Sequence, residues 1–223
     1  MVIQKDKPIV VVNFKTYPGA VNENALKLAR CCENISKDII ICVNSIDVKE
    51  VSNNIDNLVF SQHVDNASLG SSTGKIVPEI LLKTGIKGSL LNHSENRVPL
   101  DQIKDTITKC KEVGIFTLLC AQSDEEAMEI AKFGPDAIAV EPPELIGGDI
   151  SVTSANPDII KNTVEKVSSV DSSIMVLCGA GVKTSEDVRK AIELGAKGVL
   201  LASGVTKAEN PEEVLRDLIS GLN

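Results

Sequence analysis

The chain alternates between two patterns along most of its length. Short runs are apolar at nearly every position, and longer stretches bring apolar residues back every three or four positions. The first pattern suits strands buried on both faces, and the second suits amphipathic helices. Strands are expected at 8–14, 39–43, 57–62, 88–92, 115–120, 136–140, 173–177 and 198–201. Helices are expected at 23–34, 47–54, 78–84, 100–113, 123–133, 156–168 and 185–194, with a last one opening at Asn210-Pro211. Ser123 and Glu126 have the spacing of a capping box. Gly85, Gly114, Gly134 and Gly195 each fall between a helix and the next apolar run, where a left-handed residue ends a helix.

Strict strand–helix alternation with no break in composition argues for an α/β fold in one domain, 1–223, built on a parallel sheet. Eight units select a closed (β/α)₈ barrel. The alternative is an open doubly wound sheet, which would often carry a glycine-rich nucleotide fingerprint after its first strand, and none is present there.

Composition narrows the classes of function. A formal net charge of −8 over 223 residues, with Lys and Glu interleaved, disfavours nucleic acid as a partner. With no Trp and one Tyr, the core must be aliphatic. Six cysteines without a Cys-x-x-Cys pair read as reduced, core-filling thiols of a cytoplasmic protein. Lys5, Asp6 and Lys7 precede an apolar run too short for a signal sequence, and no stretch has membrane-spanning length, so no membrane association is expected.

In such a barrel, function gathers where strands end. The ends offer Asn13 and Lys15, Gln62 and His63, His93, Cys120 and Glu141. Taken singly, each has a bland reading as a solvated or satisfied polar residue. Together they place a cation, an imidazole and a carboxylate on one rim. Glu141 is followed by Pro142 and Pro143, which stiffen the chain, and then by Gly147 and Gly148, which free it. A carboxylate beneath a loop able to close is a layout for proton transfer. After the seventh and eighth strands come Cys178-Gly179-Ala180-Gly181-Val182 and Ala202-Ser203-Gly204. Small residues there expose backbone N–H groups, and a following helix start would add positive potential for a phosphate.

With these motifs in place, the whole chain resembles the triosephosphate isomerase family, in its compact archaeal branch. The resemblance rests on Asn13-Phe14-Lys15, Asn92-His93-Ser94-Glu95, Ala139-Val140-Glu141-Pro142 and the two phosphate-type loops. It implies the interconversion of D-glyceraldehyde 3-phosphate and dihydroxyacetone phosphate through an enediolate, in glycolysis and gluconeogenesis. The family is known for pairing a glutamate base with a neutral histidine, and those roles fall on Glu141 and His93. Lys15 would balance charge and Asn13 would orient the same region, with Glu95 as a buried carboxylate behind the rim. Ile146, Gly147, Gly181, Ala202 and Ser203 would bind the substrate. No cofactor and no metal is implied. The loop 67–76 resembles the family's interface loop, which implies a homo-oligomer, a homotetramer in preference to a dimer.

The sequence departs from the longer members at several points. Pro143-Glu144-Leu145 stands where they have a tryptophan, Gly148-Asp149 replaces Thr-Gly, Asn96 replaces Arg, and Gly181 replaces Ser. Two rival readings fit the sequence less well. A metal-dependent pentulose-phosphate epimerase would need several His and Asp ligands, whereas this chain has only two histidines. A non-catalytic phosphate-metabolite binder on the same scaffold would have no need of a base beneath a lid.

Overall fold

The computed structural model describes residues 3–143 and 152–222. Its eight strands are β1 (Ile9–Asn13), β2 (Ile39–Val43), β3 (Val59–Ser61), β4 (Gly88–Leu91), β5 (Phe116–Ala121), β6 (Ala137–Val140), β7 (Met175–Cys178) and β8 (Gly198–Leu201). They close in sequence order into one parallel barrel, in which β1 pairs with both β2 and β8. The closing register sets Val11 opposite Leu200 on one side and Ile40 on the other.

Period two along each strand divides the core. Val11, Ile40, Cys42, Phe60, Leu90, Leu118, Ala139 and Leu177 belong to one buried cluster. Their neighbours Val10, Val12, Ile39, Ile41 and Val43 belong to another, shared with the helices. Each fully buried aliphatic side chain contributes roughly 1.5–3 kcal/mol, so the strands need no aromatic core. Phe60 is the exception in size. A Cβ on Gly88 would come within 2.4 Å of its ring, so glycine at the start of β4 makes room for it.

The helices are α1 (Glu23–Ile35), α2 (Val48–Asn54), α3 (Pro78–Lys83), α4 (Leu100–Val113), α5 (Asp124–Ala131), α6 (Val152–Ala155), α7 (Pro157–Val170), α8 (Ser185–Glu193), α9 (Ser203–Thr206) and α10 (Pro211–Ser220). All four expected glycine stops have positive φ, between 67° and 99°. None of the helices among the described residues is long and apolar enough to cross a membrane.

Boundaries shift by a residue or two from the sequence expectation, as fraying ends do. The single turns α6 and α9 carry too few residues to show a period. Only half of the expected capping box forms at α5. Ser123 Oγ accepts the Glu126 N–H at 3.2 Å, but the Glu126 carboxylate accepts from Gln122 N at 2.7 Å. A reciprocal box forms instead at α8, between Thr184 and Asp187.

Candidate active site

The rim is assembled from strand ends. At β1, Asn13 is buried and its Oδ1 accepts the Lys15 N–H at 3.0 Å. Lys15 adopts φ +49°, a left-handed conformation that a long side chain seldom takes and that clusters at functional sites. Gln62, at the end of β3, holds the turn by donating to Lys15 O at 3.0 Å. The neighbouring His63 faces Asp65, 3.8 Å from Nε2 to Oδ1, and Lys75 pairs with the same carboxylate.

β4 delivers His93, which is nearly buried. Its Nδ1 accepts the Glu95 backbone N–H at 3.2 Å. A ring nitrogen that accepts carries no proton, so in the neutral ring the proton sits on Nε2. Burial, and then the Lys15 charge, hold the imidazole below its ordinary pKa of 6.5, while Glu95 pulls the other way. The ring therefore faces the cavity as a neutral donor.

β6 delivers Glu141, whose N–H donates to Ala121 O at 2.8 Å. The side chain is buried, and burial pushes its pKa from 4.5 up to about 7. The Cys120 thiol and Lys15 moderate that rise, and Glu95 adds to it. Its Oε2 is buried without a hydrogen-bond partner and stands 3.9 Å from His93 Nε2. An unsatisfied buried oxygen costs about 1–3 kcal/mol and calls for an explanation. Glu141 lines the cavity, and this oxygen can take up a proton there.

The carboxylate also rests on the loop after β7. A Cβ at Gly179 would lie 2.3 Å from Glu141 Cγ, so only glycine leaves that seat open. In the Gly-x-Gly pair, the sequence distinguishes neither glycine. In the fold, the first seats Glu141, and the second, Gly181, turns the backbone at φ +70°.

Asn13, Lys15, His93, Glu141, Gly181, Ala202 and Ser203 line one cavity, so these seven expected residues meet. Ile146 and Gly147, with the lid end at Gly148 and Asp149, lie outside the described residues.

Two expectations are corrected. Glu95 is no buried carboxylate. Its side chain is 60% exposed, because it reaches outward across the rim to Lys15 Nζ, at 2.7 Å. The start of α8 also offers little to an anion. The N–H groups of Lys183 and Thr184 are taken by Asp187, that of Ser185 by Asp217, and that of Asp187 by the Thr184 hydroxyl. Any phosphate donors after β7 must therefore come from the turned loop itself.

Tyr17 was not singled out in the sequence, although it is the chain's one tyrosine. It lines the cavity, and Lys207 lies over its ring at 4.7 Å, tying the β1 loop to the end of α9. Among the described residues, no three His, Cys, Asp or Glu side chains gather as a metal-ligand set.

The geometry thus joins a carboxyl of raised pKa, an imidazole of lowered pKa, a lysine and a small-residue loop floor, all on one cavity. Comparison with known proteins follows the same line. The triosephosphate isomerase family profile matches residues 8–220. The chain is 44% identical over 219 residues to a triosephosphate isomerase of Methanothermus fervidus, covering 96% of this chain and 99% of that protein. It is 42% identical over 215 residues to the protein of that name from Methanocaldococcus jannaschii, covering 95% and 98%. For the one from Archaeoglobus fulgidus the identity is 40% over 215 residues, covering 95% and 96%.

Proposed function

The chain belongs to the triosephosphate isomerase family and is an isomerase of triose phosphates; we propose that Glu141, His93 and Lys15 carry its chemistry. In this reading the Glu141 carboxylate removes a proton from the carbon beside the substrate carbonyl. The C–H electron pair becomes the carbon–carbon double bond of an enediolate. The carbonyl π pair passes to its oxygen, which gains a proton by way of His93 while the neighbouring hydroxyl gives one up, and the same carboxyl returns the carbon proton to the adjacent carbon; this turns D-glyceraldehyde 3-phosphate into dihydroxyacetone phosphate, or the reverse. His93 donates its Nε2–H to the oxygens that gain charge, and a donor of this kind contributes about 10²–10³ in rate. Lys15 balances the charge of phosphate and intermediate, with Asn13 fixing the turn that aims it.

The observation that carries this reading is the Glu141 Oε2 atom, buried and unpartnered, 3.9 Å from His93 Nε2. Backbone N–H groups at Gly181, Ala202 and Ser203 would hold the phosphate, and by family resemblance Ile146 and Gly147 would join them. A crystal of the protein with a phosphorylated enediolate mimic tests the arrangement. Phosphate oxygens should lie within hydrogen-bond reach of Gly181 and Ser203, and the mimic's oxygens between His93 and Glu141. A mimic bound elsewhere would remove these assignments.

The finer attributes belong to the same proposal. One domain, 1–223, is supported by a single closed barrel with a family match across 8–220. A cytoplasmic setting and a place in glycolysis and gluconeogenesis are supported by six unpaired cysteines and by the family. A homotetramer, in preference to a dimer, is supported by exposed apolar side chains in two places. Ile46 and Leu69 lie on the loops after β2 and β3, and Ile80 and Leu100 lie on α3 and α4. Mass in solution by light scattering distinguishes the two assemblies.

A further inference from the structure

His93 sits in a tight turn, and the residues that close this turn belong to none of the roles above. The turn begins at Asn92, which is fully buried and held at φ +63°. The Asn92 side chain shuts the loop. Its Oδ1 accepts the Val98 N–H at 3.0 Å, and its Nδ2 donates to Cys120 O on β5 at 3.0 Å. Between those ends lies the Glu95 N–H that fixes the His93 tautomer. A second clamp crosses outside it. Arg97 donates to Asn92 O at 3.4 Å and forms an ion pair with Glu126 of α5. Glu126 also accepts from Asn92 Nδ2 at 3.4 Å, and its other oxygen takes the Gln122 N–H just beyond β5. This carboxylate, released from the cap role that its sequence spacing suggests, joins the ends of two strands.

We infer that Arg97 and Glu126 are positioning residues for His93: their ion pair holds the Asn92–Arg97 turn so that the Glu95 N–H stays on Nδ1 and the Nε2 proton stays aimed at the cavity. The inference rests on the reading of His93 as a donor to the substrate. It assigns a function to a pair that is otherwise an ordinary half-exposed salt bridge, of the kind that contributes little to stability. Misplacing a donor by about 1 Å can lower turnover by up to about 10²-fold, so the catalytic effect would exceed the stability effect.

The test compares Arg97→Met, Arg97→Lys, Glu126→Gln and His93→Gln. Arg97→Met should lower kcat about tenfold with KM within about twofold. Arg97→Lys should recover part of that loss, because an ammonium still reaches the Glu126 carboxylate but lacks the second prong that Arg97 sets on Asn92 O. Nitrogen-15 NMR of the His93 ring, separated from His63 as the only other imidazole, gives a readout that a purely structural role would leave alone. The wild type should show an unprotonated Nδ1 and a protonated Nε2, and Arg97→Met should show a mixture of tautomers. Variants with lowered Tm but wild-type kcat and an unchanged ring spectrum would overturn the inference while leaving His93 in its role. Wild-type turnover in His93→Gln would remove both readings. Should Glu126→Gln fail to fold, the Arg97 series decides the matter alone, at a side chain already 36% exposed.

Discussion

His93 Nε2 and Glu141 Oε2 face each other at 3.9 Å, delivered by β4 and β6, with no hydrogen bond between them. The gap is too long for the two groups to satisfy one another and short enough for both to address one small substrate. Each is pushed by burial toward its neutral form, the imidazole downward in pKa and the carboxyl upward. A neutral imidazole and a carboxyl of raised pKa are thus kept side by side without neutralising each other.

The pH profile should carry that signature. Glu141 must be ionised to act as base, so kcat/KM should fall as pH drops below about 7. The substrate phosphate ionises near pH 6, so the profile is read beside the pH dependence of inhibitor binding. An acid limb at the ordinary carboxylate value of 4.5 would contradict the burial of the base.

Stability should respond with the opposite trend. The folded pKa of Glu141 lies above its ordinary value, so its carboxyl favours the folded state most below about 4.5 and loses that contribution as pH rises through about 7. Glu141→Gln removes the ionisation at similar volume. The variant should therefore unfold at higher denaturant than wild type at pH 9, by up to roughly 3 kcal/mol, with the difference shrinking toward pH 4. Denaturation curves at both pH values check this, and a difference independent of pH would refute it.

Gly179→Ala isolates the seat of the base. The new methyl group would fall 2.3 Å from Glu141 Cγ, so the carboxylate must move. Overpacking of this kind costs about 1–3 kcal/mol in stability. Turnover should fall by tenfold or more, on the order expected for a displaced catalytic group, while Gly181 still turns the loop. Steady-state kinetics beside inhibition by inorganic phosphate separates the two effects. An unchanged kcat would mean that Glu141 does not need this seat.

Much of the fold was legible because burial on both faces leaves a strand apolar throughout, and a helix on the barrel exterior must repeat every three to four residues. The four glycine stops follow from the same logic, since a left-handed residue ends each helix. The site was legible as far as strand ends reveal it: Lys15, His93 and Glu141 meet because parallel strands bring all their C-terminal ends to one rim. What the sequence could not show depends on contacts between distant segments. Glu95 lies exposed at the rim, and only the fold brings it to the largely buried side chain of Lys15, eighty residues earlier. Glu126 leaves its box because Arg97 and Asn92 compete for its carboxylate. Gly179 and Gly181 look alike in sequence, and only the position of Glu141 separates them.

The most direct test of the central claim is the turnover of Glu141→Asp, measured with the affinity of a phosphorylated enediolate mimic for the same variant. Shortening the side chain by one methylene withdraws the carboxylate from the reacting carbon but leaves Lys15, His93 and the loops at Gly181 and Ser203 in place. The account predicts that kcat falls by about a hundredfold or more, while the mimic binds within about tenfold of its wild-type affinity. A kcat close to wild type would contradict it, and the proton would have to be carried by another group.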